Sequence, residues 1–156
     1  MKVFISYGNA VDQVTALRLQ ALGAVNGLTV YVPPAHTRQA VSGLLDPEAA
    51  QKLNETDVVL GVVGSGLTEA CRQELNAGTS LRKNMIVMTY PAFAEQLQPY
   101  FGSNLVVIDP SNPGGAEVGI VQHLKTLDAQ QSAKKALLAL GTLALGLLIL
   151  TTADRS

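Results

Sequence analysis

The residues of this chain best suited to polar chemistry fall in three short stretches. Ser6-Tyr7-Gly8 close an apolar run, Pro34 to Arg38 follow a second, and Ser65 to Glu74 follow a third. Glu74 lies three positions after Cys71, so on a helix the carboxylate and the thiol sit side by side. A carboxylate next to a loop can stabilise developing positive charge, and a thiol can be reactive. Each also has a plain structural reading. A mid-helix Glu is most often solvated, and a lone Cys is most often a small core residue. Arg38 reads equally well as a solvated loop charge, and Ser6 and Tyr7 as the end of a strand.

Other chemistries lack their residues. A dinucleotide fingerprint needs G-x-G-x-x-G after the first strand, and the turn Gly8 to Asp12 holds one glycine. Gly61, Gly64 and Gly66 come after a later strand with the wrong spacing, and no P-loop is present. A phospho-receiver would need Asp where Gly64-Ser65 stand. His36 and His123 have no metal-ligand spacing with each other or with Cys71, so no metal is expected. Neither His sits in a motif that would complete a nucleophilic triad.

The elements that must position these residues alternate. Lys2–Tyr7 reads as a strand, and 11–25 as a helix with Asp12 in its first turn. The apolar face expected for that helix is Val14, Leu17, Ala21 and Leu22, with Val25 a turn later. Residues 28–32 read as a strand closed by Pro33-Pro34, 35–43 as a polar loop, and 47–53 as a short helix. Residues 57–63 (DVVLGVV) are the clearest buried strand, and 68–77 a helix with Gly78 as its stop. Residues 85–89, 92–100, 105–108 and 116–127 supply strand, helix, strand and helix. Five strands alternating with helices predict a flavodoxin-like α/β fold, a five-stranded parallel sheet with helices on both faces. Ligands in such folds bind at the carboxyl ends of the strands, near a switch in strand order. The loops that matter are then 7–12, 33–43 and 64–68.

With 156 residues the chain has room for one domain with a sizeable core. Before Lys134 it carries eight Lys plus Arg against eleven Asp plus Glu, a net of about −3. With no basic run and no interleaved aromatics, nucleic acid is not the expected partner. A single cysteine excludes an intrachain disulfide and suits a reducing compartment. The amino-terminal apolar run is too short for a signal peptide.

The carboxyl-terminal stretch Ala136 to Ala153 holds eight Leu, one Ile and no charge. As a helix it would reach about 27 Å, slightly under the roughly 30 Å of bilayer hydrocarbon. Its leucines contribute about −4 kcal/mol toward insertion. It is apolar almost all round, where a core helix at a surface keeps a polar stripe. Lys134 and Lys135 at its front edge keep that side cytoplasmic. The expected organisation is a domain over residues 1–130 and a single-pass membrane anchor over 131–156.

Three boxes in order resemble the TIR domain, the Toll/interleukin receptor homology module. Phe4-Ile5-Ser6-Tyr7 followed by Asp12 is similar to its first box. The strand ending at Pro33-Pro34 and the loop through Arg38 are similar to its second region and assembly loop. Asp57-Val58-Val59-Leu60, then Ser65, then Cys71-x-x-Glu74-Leu75, resemble its third stretch, with Ala70 where the family often has Trp. The likeness spans residues 2 to 127. It implies cleavage of NAD+ between nicotinamide and ribose, giving ADP-ribose or a cyclic isomer, with Glu74 as the catalytic carboxylate. It further implies that Ser6, Tyr7, Gly8 and Ser65 line the pocket with Pro34 and Cys71, and that Arg38 meets the diphosphate. NAD+ would be substrate, with no separate cofactor. Assembly of several copies side by side and a role in bacterial immunity are also implied. Two other readings stand beside this one: a TIR scaffold without catalysis, and an enzyme resembling nucleoside deoxyribosyltransferases.

Overall fold

A computed structural model describes the backbone of residues 1–39 and 44–153, and the side chains of 1–38 and 44–135. It divides into two compact units, Met1–Val121 and Gln122–Ser156. The described residues of the first contain five strands, all parallel: β1 (Lys2–Tyr7), β2 (Thr29–Tyr31), β3 (Val58–Val62), β4 (Asn84–Thr89) and β5 (Leu105–Val107). Their order is β2-β1-β3-β4-β5, the flavodoxin-like α/β arrangement. The chain runs outward from β1 to β2, then crosses back over β1 to β3. The switch in strand order therefore lies between β1 and β3, where Tyr7 is in register with Val62. β3 is central and buried at every position, which is why its sequence is a continuous apolar run.

The helices α1 (Ala10–Val25), α2 (Pro47–Glu55), α3 (Glu69–Ser80), α4 (Pro91–Phe101) and α5 (Pro113–Ala153) connect and follow the strands. Local chemistry starts several of them. Asn9 caps α1, its Oδ1 accepting from the backbone N–H of Val11 at 3.1 Å and of Asp12 at 3.2 Å. Asp46 caps α2 ahead of Pro47, and Pro91 opens α4. One core layer joins Phe4, Val59, Val63 and Val87 of the sheet to Ala49 and Leu53 of α2, Cys71 and Leu75 of α3, and Leu97 of α4. On the other face lies α1, whose Arg18 pairs with Glu117 in the first turns of α5 at 2.6 Å.

Two local expectations are corrected. α1 does not bury Val14, Leu17, Ala21, Leu22 and Val25: Val14, Leu17 and Val25 are 54%, 48% and 87% exposed. The buried face is Asp12, Ala16, Leu19 and Gly23. The helix is apolar on both sides, and the side with small residues wins because it can approach the sheet closely. A Cβ at Gly23 would lie only 2.7 Å from Val30 Cγ2. Gly78 does not stop α3 either. The helix continues to Ser80, and Gly78 is a buried contact point where a Cβ would lie 3.0 Å from Val59 Cγ2.

In the second unit the backbone is helical from Gln122 to Ala153. The span expected at Ala136–Ala153 lies outside the residues whose side chains are described. Among the described residues no helix is long and apolar enough to cross a membrane.

Candidate functional site

The site grows from an alternation and a helix face. Along β1, Phe4 turns toward the layer that α3 joins, and Ser6, two residues on, follows it. On α3 the buried positions are Ala70, Cys71, Glu74, Leu75 and Gly78, one stripe at helical spacing. Ser6 therefore meets Cys71 and Glu74. Its hydroxyl donates to Glu74 Oε1 at 2.6 Å and lies 3.2 Å from Cys71 Sγ.

Arg38 arrives from the short 3-10 helix Ala35–Gln39 that follows β2. Its Nη1 donates to Glu74 Oε1 at 2.7 Å and its Nη2 to Glu74 Oε2 at 2.5 Å, a fork closing on both carboxylate oxygens. Nη1 also donates to the Tyr7 carbonyl at 2.8 Å, and the guanidinium lies 4.7 Å from the centre of the Tyr7 ring. Thr37 Oγ1 accepts from Nε and Nη2 of Arg38 and donates to the Pro34 carbonyl at 2.7 Å. Tyr7 is itself anchored, its hydroxyl donating to the Pro33 carbonyl at 2.7 Å. The side chains of Arg38 and Glu74 are only 7% and 2% exposed, so this is a buried, fully bonded ion pair.

The surroundings set the charge states. Burial works against the charge on Arg38, but the hydrogen bonds and charge of Glu74 outweigh it and hold the guanidinium proton more tightly than usual. Burial pushes the Cys71 thiol up to about 12, only partly opposed by the Ser6 hydrogen bond, so Cys71 is a neutral thiol at physiological pH. Burial likewise raises the Tyr7 phenol, which keeps its proton for Pro33.

A cleft of about 350 Å³ opens beside this network, lined by Tyr7, Gly8, Asn9, Ala10, Gln13, Ala35, Arg38 and Thr68. It sits at the carboxyl end of β1, at the switch point, between the amino ends of α1 and α3. Both helix ends favour negative charge there. Thr68 caps α3 without a side-chain hydrogen bond, and its hydroxyl is buried without a partner among the described residues.

No protein-family model matches this chain, and no curated protein does.

Of the residues singled out in the sequence, Ser6, Tyr7, Arg38, Cys71 and Glu74 form one network, and Gly8 lines the cleft with Tyr7 and Arg38. Ser6 and Cys71, both fully buried, do not line it, and neither do Ser65 and Pro34. The Ser65 hydroxyl donates to Asp12 Oδ2 at 2.9 Å, and Pro34 acts through its carbonyl on Thr37. Gln13 was not singled out, and Asn9, Thr37 and Thr68 figured only as members of the loops 7–12, 33–43 and 64–68. Asn9 had a readable signal, an Asn just ahead of an apolar-periodic run. Thr37, Gln13 and Thr68 had none.

Asp12 was expected to be in a first turn and is, but it is buried as well. It pins the loop after β1 to the loop after β3. Burial raises its pKa above 3.8, against the lowering effect of hydrogen bonds from Ser65, Gly64 and Gly8. A raised folded-state value favours folding while Asp12 is protonated. That contribution is complete below its unfolded value and is lost as pH rises through the folded one. Asp12→Asn never ionises, so its stability relative to wild type should rise steadily from pH 3 to pH 7. Urea midpoints at successive pH values measure this. A difference that stays flat across the range would mean that Asp12 titrates as in the unfolded chain.

Proposed function

We propose that this chain is a TIR-type enzyme that cleaves NAD+ at the bond between nicotinamide and ribose. The observation that carries the reading is a glutamate held beneath the switch-point cleft with Ser6 and Arg38 as its partners. The C1′–N bond breaks with its electron pair moving to the nicotinamide ring nitrogen, which loses its positive charge. The ribose is left oxocarbenium-like, and a carboxylate beside it stabilises that charge and orients the ribose hydroxyls. Water then adds at C1′ and releases a proton, giving ADP-ribose. An adenine nitrogen or a hydroxyl attacking in its place gives a cyclic isomer. For this chemistry the ribose must take the place that Arg38 now occupies on Glu74.

The same proposal includes a membrane anchor at Ala136–Ala153, a cytoplasmic TIR domain, assembly of copies side by side, and a role as an effector or signal generator in bacterial defence. An anchor confines the copies to two dimensions and raises their effective concentration. Support for these parts comes from the sequence: the leucine-rich tail, the flanking lysines and the order of the three boxes.

One observation favours a second reading, a non-catalytic TIR scaffold. Glu74 already has its hydrogen bonds filled by Ser6 and Arg38, as in a structural ion pair. NAD+ consumption by the full chain concentrated on liposomes, with products separated by chromatography, separates the two. Loss of NAD+ by wild type and not by Glu74→Ala is the expected result. NAD+ left intact by wild type assembled on the same membranes would overturn the enzyme reading in favour of the scaffold. Turnover of deoxynucleosides with NAD+ untouched would favour the deoxyribosyltransferase-like alternative.

A further inference from the structure

Glu74 is buried and does not line the cleft, whereas Arg38 both lines the cleft and closes on Glu74. Any ligand entering from the cleft therefore meets the guanidinium before the carboxylate. We propose that Arg38 is a latch on Glu74 that the diphosphate of the substrate draws off, so that the carboxylate is uncovered only when an anion occupies the cleft. This rests on the reading of the cleft as an NAD+ site.

For the guanidinium the exchange is even-handed, and the uncovered Glu74 keeps the Ser6 hydrogen bond. Arg38 gives Glu74 two parallel N–H donors, and a phosphate group offers the same fork a matching pair of oxygens. The amino ends of α1 and α3 flank the place where that anion would sit, and both favour negative charge. The Tyr7 ring gives the guanidinium a face on which to turn, so it stays stacked on leaving the carboxylate. An uncharged ligand has nothing to trade. Opening the pair for it would leave a buried guanidinium without a counter-charge, which is strongly unfavourable. The latch thus selects for dinucleotides carrying a diphosphate over free nucleosides. It also lowers the apparent affinity of the wild type, because part of the binding free energy goes into opening the pair.

The test is calorimetric titration of the full chain in detergent with ADP, inorganic pyrophosphate and adenosine. Glu74→Gln removes the competing charge and should tighten ADP and pyrophosphate at least tenfold, with adenosine unchanged. Arg38→Gln should abolish the preference for ADP over adenosine. If Glu74→Gln does not fold, Glu74→Asp keeps the charge, shortens the reach of the carboxylate, and should still tighten ADP severalfold. ADP affinity that is unchanged or weaker in the folded Glu74 variant would overturn the latch, as would an ADP preference that survives Arg38→Gln. The fate of the cleavage reading is separate. Tightened ADP binding without NAD+ turnover would keep the latch and remove the enzyme. NAD+ turnover that needs Glu74, with ADP binding indifferent to it, would do the reverse.

Discussion

Glu74→Ala should melt roughly 10–20 °C below the wild type, because it strands a buried guanidinium. Arg38 would keep its charge beside the Tyr7 ring and lose both carboxylate bonds, while Ser6 would lose its carboxylate acceptor. Breaking one side of a buried pair typically costs about 3–5 kcal/mol, far more than the pair contributes net. The double variant Arg38→Met/Glu74→Leu should therefore recover most of the loss, as it leaves no buried charge. Scanning calorimetry of Arg38→Met, Glu74→Leu and the double gives the coupling directly. A Glu74→Ala protein that melts within a few degrees of wild type would mean that water reaches Arg38 freely, contrary to its burial. The expectation also bears on catalysis: lost activity in Glu74→Ala has to be read beside its stability, and Glu74→Gln and Glu74→Asp are the companion variants.

Gly78→Leu should be the second most damaging change, although Gly78 touches no polar group of the site. Gly78 lies one helical turn after Glu74 on the same buried stripe of α3. A Cβ there would already lie 3.0 Å from Val59 Cγ2 and 3.2 Å from Met85 Cε. A leucine must push the helix off β3 or force its neighbours from their rotamers, at a cost of about 1–3 kcal/mol. Because the displaced turn carries Glu74, the Arg38 pair should loosen with it. Denaturant unfolding would show a lower midpoint at an unchanged slope. Gly78→Ala is expected within about 1 kcal/mol of wild type, since the gain in helix propensity offsets the tight methyl. Full stability in Gly78→Leu would show that α3 and β3 are not in the close contact described.

The strands were legible because a parallel sheet buried on both faces leaves a plain trace: DVVLGVV needs no partner to be recognised. The facing choice of α1 was not legible. Val14, Leu17 and Val25 on one side compete with Ala16, Leu19 and Gly23 on the other, and periodicity alone favours the bulkier set. The deciding quantity is how closely a helix can approach the strands, which depends on the small residues that a hydrophobicity pattern discounts. For the site, Ser6, Arg38, Cys71 and Glu74 were each nameable from sequence, but the bond between Arg38 and Glu74 was not. They are 36 positions apart, on a short 3-10 helix and on α3, whose meeting depends on the β1–β3 crossover. Glu74 read alone looks like a surface residue, because nothing local to α3 says that a cation will arrive to cover it.

Both margins of the sheet are short. β2 and β5, the outermost strands, span three residues each, against six in β1 and β4. A free strand margin is where one polypeptide most easily zips onto another by main-chain bonding, and three residues give such a zipper too few teeth. Any recognition between copies would then have to rest on side-chain shape and charge. Contacts of that kind come apart and re-form readily, whereas main-chain pairing along an open margin propagates into fibres.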